Sequence, residues 1–267
     1  MEWQDRKNRE AWSDPGAIKG LAALQSFTDE GERAAYWRIV DEVRDKPILD
    51  LGVGSGRTVP LLRSLTDKYV AIDYLPPMVD FVRKRFPFID VREGDARDLS
   101  RLPDSSFQLV AFSYMGIDSV DHDGRQRILS GVHRVLKPNG IFWFSTLNKS
   151  GKAPRYRPWR LQWPQRGHGK IRYALAVLDQ VVSAPKRTRN YLRSARFSAE
   201  GDGWSVGPFF PHDYSLVAHY TTLAAQRAEL QRAGFRAHCQ VFADSGASVR
   251  EGDDLRDVFC FNILARK

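Results

Sequence analysis

The stretch Lys46–Leu62, KPILDLGVGSGRTVPLL, sets three glycines within five residues between two apolar runs. The first run, PILDLG, is short, apolar and strand-forming; the second, RTVPLLRSLTD, carries a helical pattern. A glycine turn between a strand and a helix brings backbone N–H groups close to a ligand that leaves no room for side chains. Gly52, Gly54 and Gly56 spell G-x-G-x-G, with Arg57 where the dinucleotide fingerprint G-x-G-x-x-G has its third glycine. No Gly-Lys-Ser/Thr follows, which excludes a P-loop.

The same rhythm continues on both sides. YVAID, FIDVREGD, SFQLVAFS and GIFWFSTLN read as further strands. PPMVDFVRKRF is a helix opened by prolines, and DGRQRILSGVHRVLK a helix stopped by PNG. Upstream, TDEGERAAYWRIVDEVRDK reads as a helix capped at Thr28, with Ala34, Ala35, Trp37 and Val40 on its packing face. Towards the C-terminus, TTLAAQRAELQRAG is a helix closed by Gly234, and FRAHCQVF and DVFCFNILARK are the last strands. Strands alternating with helices at this spacing predict an α/β fold with a doubly wound sheet.

The chain has 267 residues, a net charge of +9 and 42% hydrophobic residues, enough for a substantial core. No run approaches the roughly 18 apolar residues of a spanning helix, so no integral membrane contact is expected. The charged start MEWQDRKNRE is no secretory signal, and Cys239 and Cys260 lack metal-ligand spacing; both point to a cytoplasmic protein. Charge is uneven. Residues 149–196 hold 13 Lys/Arg against a single acid, Asp179, for +12, so the remainder carries −3. This Arg-, Pro- and Trp-rich segment reads as an insertion, either a solvated surface or an attractor of anionic partners. Its helical island, IRYALAVLDQVV, is expected to pack into the core rather than lie on a membrane.

ILDLGVGSG resembles the first motif of the class I S-adenosylmethionine-dependent methyltransferases, and the likeness continues downstream. Asp73 ends the second strand in AIDYLPPM, where the resemblance implies the acid that holds the ribose hydroxyls. EGDARDLSRLPDSSFQLV is similar to the family's next segment, which implies Asp95 and Ala96 at the adenine; VHRVLKPNGIFWFS is similar to the lead into the fifth strand, with Asn139 for the usual glycine. The resemblance spans residues 30–148 and implies a Rossmann-like sheet of seven strands, mostly parallel with an antiparallel last strand. It also implies S-adenosyl-L-methionine as cofactor. Asp50, Gly52, Gly54 and Gly56 would hold its amino-acid end, Tyr74 and Met78 flank adenine, and Ser113 and Tyr114 face the sulfonium, a cation that aromatic rings attract. The expected organisation is an N-terminal helical cap (1–45), the cofactor-binding core (46–148), a basic lid insertion (149–215) and the C-terminal part of the core sheet (216–267).

Methyl transfer from a sulfonium is a direct displacement, so the enzyme aligns the acceptor and, for a hydroxyl, removes a proton. Candidates for that work lie in PFFPHDYSLVAHYTT: His212, Asp213, His219 and Tyr220. Asp118, Asn148, Arg155, Tyr156 and Arg157 are candidates for acceptor contact, the arginines through forked donors suited to carboxylate or phosphate. Arg160, Arg166 and Arg172 continue that interleaving with Trp159, Trp163 and Tyr173. DHDG at Asp121–Asp123 reads as a helix cap, and no metal site is expected. SYMG after the fourth strand is unlike the Asn/Asp-Pro-Pro-aromatic tetrapeptide of base-amino methyltransferases, which argues against base flipping. The sequence therefore points to N- or O-methylation of a small anionic acceptor. The alternatives are an RNA or lipid head-group methyltransferase, or a non-catalytic cofactor binder.

Overall fold

The computed structural model describes residues 2–13, 16, 27–160 and 170–267. Strand β1 (Ile48–Leu51) lies in mid-sheet, parallel to β2 (Tyr69–Asp73) on one side and to β4 (Phe107–Phe112) on the other. The parallel set is extended by β3 (Asp90–Glu93) beside β2 and by β5 (Leu136–Asn148) beside β4. Next to β5 runs β10 (Cys260–Arg266), antiparallel, and beyond it β9 (Gln240–Ala243). The path β3-β2-β1-β4-β5-β10-β9 is mostly parallel with one reversed strand, as the sequence led us to expect, but it is part of a sheet of ten strands rather than seven.

Successive side chains of a strand face opposite ways, and both faces here are covered. Leu49, Leu51, Phe142 and Phe144 pack with residues of helices α5 (His122–Val135) and α7 (Leu223–Arg232). Ile48, Ile141 and Trp143 pack with α2 (Glu30–Val43), α3 (Val59–Arg63) and α4 (Pro76–Arg85). Burial on both faces is why these strands read as unbroken apolar runs. Within β5, Asn139 takes φ +64°, a left-handed conformation that asparagine tolerates better than most residues and that suits the glycine usual there.

Three expectations need correction. The cap of α2 is Asp29, whose carboxylate accepts from Glu32 N at 2.7 Å, while Glu32 reaches back to Thr28 N at 2.7 Å. With that start, the buried stripe is Ala35, Tyr36, Ile39, Val40 and Val43, and Trp37 is turned out, 64% exposed. The helical island belongs to a longer helix, α6 (Lys170–Ala195), on which Leu175, Leu178, Val181 and Val182 are exposed rather than packed in the core. Finally, an antiparallel meander, β6 (Ala199–Gly201), β7 (Trp204–Phe209) and β8 (Leu216–Thr221), joins the end of β5 through Leu147↔Tyr220 and Asn148↔Thr221. Gly207 and Pro208 inside β7 hid it from the sequence pattern.

Helix α1 (Glu2–Trp12) is clamped by buried Asn8. Its amide donates to Ser119 O at 2.8 Å and Val217 O at 2.9 Å, and its oxygen accepts from Val217 N at 3.1 Å. That clamp bridges the segment after β4 to β8 and brings Trp12 to the carboxyl edge of the sheet.

Candidate active site

At the carboxyl ends of β1, β2 and β4 lies a cleft with about 1020 Å³ of empty space. Open α/β sheets bind ligands at this edge. Its floor is the loop after β1. Gly52 and Gly54 have φ of +61° and +53°, left-handed backbone that favours glycine. A Cβ on Gly52 would meet the Phe112 ring at 2.7 Å, whereas one on Gly54 would meet nothing nearer than Gly52 O at 3.9 Å and would take up cleft space instead. Gly56 stands behind the cleft against Phe86 and does not line it.

Asp73, at the end of β2, is 4% exposed, and burial raises its pKa against the N–H donors that hold it. Its Oδ2 accepts from Gly54 N at 2.8 Å and its Oδ1 from Leu75 N at 2.9 Å. With Tyr74 N as a further backbone donor, the carboxylate still has acceptor capacity for a ligand hydroxyl. Tyr74, Met78, Asp95, Ala96, Ser113 and Tyr114 also line the cleft. The Asp95 carboxylate is engaged by Arg97, Nε to Oδ1 at 2.9 Å and Nη2 to Oδ2 at 2.5 Å; burial pushes its pKa up, but these contacts hold it below the usual range. Tyr114 and Met115 have φ of +53° and +57°, and the turn is secured by Met115 N donating to Ser145 Oγ at 2.7 Å.

Asp50 is elsewhere. It is 1% exposed and absent from the cleft wall, with its Oδ2 accepting from Thr58 Oγ1 at 2.5 Å and Tyr69 Oη at 2.7 Å. Burial raises its pKa to about 6 against those donors. Asp50 thus ties the start of α3 to β2 in the present arrangement.

The structure does not bring Asp213, His219 or Tyr220 to the cleft. Asp213 pairs with Lys186 and Arg187 of α6, each at 2.8 Å, and they hold its pKa down against burial. His219 is fully buried, stacked with His122 and Trp204, and its Nε2 lies 3.3 Å from His122 Nδ1; burial, then Arg125 and His122, push its pKa well down. Tyr220 donates to Pro208 O at 2.9 Å, and burial raises its pKa. The side chain of His212 lies outside the described residues, as do those of Arg172 and Tyr173 and all of Trp163 and Arg166.

The acceptor candidates are likewise committed. Asp118 is 1% exposed, contacts Arg125 at 2.5 Å, Thr146 Oγ1 at 2.8 Å and Leu147 N at 2.7 Å, and burial takes its pKa to about 7. Asn148 donates to Leu255 O and Val258 O, Arg155 to Ser150 O, and Arg157 to Pro154 O and Tyr156 O. Tyr156 packs edge-on against Phe210. None of these five lines the cleft.

Other residues complete its walls: Trp12, Arg57, Arg97, Phe112, Ser119 and Val120. Arg57 had a sequence signal, as the residue in the third glycine's place; Trp12 had none, because α1 is brought to the cleft by long-range contacts, the Asn8 clamp and Arg9 over the Tyr74 ring at 4.6 Å. A smaller chamber with about 390 Å³ of empty space shares Trp12, Tyr114 and Ser119 and continues between Asn8, Met115, Asp118, Leu147, Phe209, Leu216, Val217 and Ala218, so the acceptor candidate Asp118 lines this chamber though not the cleft. Its walls are mostly apolar.

Residues 48–140 match the family model described as a methyltransferase domain. A curated protein of Mycolicibacterium smegmatis, "Probable S-adenosylmethionine-dependent methyltransferase", is 29% identical over 138 residues, 51% of each chain. The chain spans about half the length of the curated relatives it matches. Among solved structures, an S-adenosylmethionine-dependent methyltransferase of Mesorhizobium loti aligns over 87% of this chain and 98% of its own, with a TM-score of 0.55 at 21% identity. A Burkholderia thailandensis 1,6-didemethyltoxoflavin-N1-methyltransferase, crystallised with its acceptor and S-adenosylhomocysteine, aligns over 90% of this chain and 80% of its own, with a TM-score of 0.53 at 15% identity. The strand order, the glycine loop and the family match agree: residues 48–140 form a methyltransferase domain, on the fold of the S-adenosylmethionine-dependent methyltransferases.

Proposed function

We propose that this chain binds S-adenosylmethionine in the cleft and transfers its methyl group to a nitrogen or oxygen of a small acceptor, leaving S-adenosylhomocysteine. One observation carries the reading: the Asp73 carboxylate, a multiple acceptor held by backbone N–H groups, stands beside the bare Gly52–Gly54 backbone at the sheet's carboxyl edge. A carboxylate so placed can accept from two neighbouring ribose hydroxyls. Gly52 and Gly54 leave room for the amino-acid end, Ala96 and the Arg97-paired Asp95 stand at the adenine, Tyr74 and Met78 flank it, and Tyr114 faces the sulfonium. When bound, the cofactor supplies a methyl group already activated on a positively charged sulfur.

The residues of the cleft therefore have alignment and exclusion of water as their work. Among the described residues, no histidine lines the cleft. This favours an acceptor atom that is nucleophilic without a base, such as a neutral amine or a carboxylate oxygen. The sequence charge of residues 149–196 suggested an anionic acceptor. The apolar chamber beyond Tyr114 supports instead a small acceptor with an apolar portion.

Titration calorimetry with S-adenosylmethionine, followed by incubation of cell extract with a deuterated-methyl donor and mass spectrometry, tests the proposal. Saturable binding and a labelled small product are expected. No binding overturns the reading, and binding without any labelled product reduces the chain to a cofactor binder.

A further inference from the structure

Helix α6 is attached to the rest of the protein by its polar side. Ser194 Oγ donates to Tyr214 O at 2.8 Å, Asn190 Nδ2 to Asp213 O at 3.0 Å, and Lys186 and Arg187 hold the Asp213 carboxylate. The outward side carries Leu175, Leu178, Val181 and Val182, between 54% and 71% exposed. A surface helix ordinarily buries its apolar stripe and shows its polar one; here the arrangement is reversed. Leu192 and the neighbouring Trp159 extend the exposed apolar surface, and Arg189, Arg193 and Arg196 share the same outward side.

We propose that this face docks on an anionic phospholipid surface. Leu175, Leu178, Val181 and Val182 would enter the headgroup–acyl boundary, Trp159 would sit at headgroup depth, and the three arginines would meet lipid phosphates. Charge complementarity selects this occupant, because residues 149–196 carry 13 Lys/Arg against Asp179 alone. A second copy would set Arg189, Arg193 and Arg196 against their own like charges. A nucleic acid would satisfy the arginines, but aliphatic Leu and Val offer no ring for a base to stack on. Among the described residues, no helix is long and apolar enough to cross a membrane, so the contact is one of lying on the surface.

The proposal is independent of methyl transfer, and its test uses neither cofactor nor acceptor. The full chain is sedimented with phosphatidylcholine vesicles with and without phosphatidylserine. Binding to the phosphatidylserine vesicles is expected, weaker by about tenfold or more without that lipid. L178E/V182E and R189E/R193E change exposed side chains, so each should keep the wild-type circular dichroism and lose binding by about tenfold or more. The proposal is overturned if the wild type stays in the supernatant, or if both double variants bind as it does. It is also overturned if L178E/V182E turns an oligomer into a monomer, which assigns the face to a second copy, or if nuclease abolishes pelleting, which assigns it to nucleic acid.

Discussion

The Arg57 guanidinium grips the Glu32 carboxylate at both ends, Nη1 to Oε2 at 2.8 Å and Nη2 to Oε1 at 2.7 Å, with side chains only 8% and 2% exposed. Arg57 Nη2 also donates to Ser113 Oγ at 2.8 Å, so one side chain ties α2, the glycine loop and the residue after β4 together. Removing one partner of a buried pair strands the other's charge. Glu32→Ala is expected to cost about 3–5 kcal/mol of stability in urea denaturation, with Glu32→Leu/Arg57→Met recovering most of it. If Glu32→Ala leaves stability unchanged, the pair is not what pins the loop.

Asp73 serves the loop and the cleft at once. Asp73→Ala is expected to weaken S-adenosylmethionine binding by about 1.5–3 kcal/mol through lost charge-assisted hydrogen bonds. Calorimetry reads this directly; equal affinity in variant and wild type removes Asp73 from the site.

Gly54 separates space in the cleft from packing in the core. Its φ of +53° makes any L-residue strained, and its Cβ would project where no protein atom lies within 3.9 Å. Gly54→Ala should cost about 1 kcal/mol of stability and abolish most cofactor affinity. Gly52→Ala should be worse for folding, because its Cβ would run into Phe112 at 2.7 Å. Melting temperatures paired with titrations separate the two effects, and a Gly54→Ala protein that binds like wild type counts against the loop as the cofactor's floor.

Asp50 makes a pH prediction. Burial raises its pKa from the ordinary 3.8 to about 6, so the folded protein holds a proton that the unfolded chain gives up. A raised folded pKa adds stability at low pH that is lost as pH climbs through about 6. Asp50→Asn can still accept from Thr58 and Tyr69 but does not titrate. Between pH 4 and 7 the wild type should therefore lose about 3 kcal/mol relative to Asp50→Asn. Denaturation across that range checks it, and parallel curves would refute the assignment.

The alternation of strands with helices and the glycine turn after β1 were legible in the sequence because their causes are local; the count of seven strands came from the family resemblance, and the sheet has ten. Strands buried on both faces are continuous apolar runs, and left-handed backbone announces itself where glycine or asparagine stands, as at Gly52, Gly54 and Asn139, though not at Tyr114 and Met115. The described acid–base candidates lie apart from one another for an equally simple reason. In β8, His219 and Tyr220 are adjacent and so face opposite ways, one towards His122 and Trp204 and the other towards Pro208, while Asp213 is held by α6.

Sequence alone therefore marked the buried parallel strands (though not the β6–β8 meander), where the backbone must lie bare and which carboxylate ends the strand beside it. Tertiary structure alone decided that Trp12 walls the cleft, that Glu32 meets Arg57, and that α6 turns its aliphatic side outward. A periodic pattern declares that a helix has two sides; which side the protein keeps depends on partners far along the chain, here Asp213 and Tyr214.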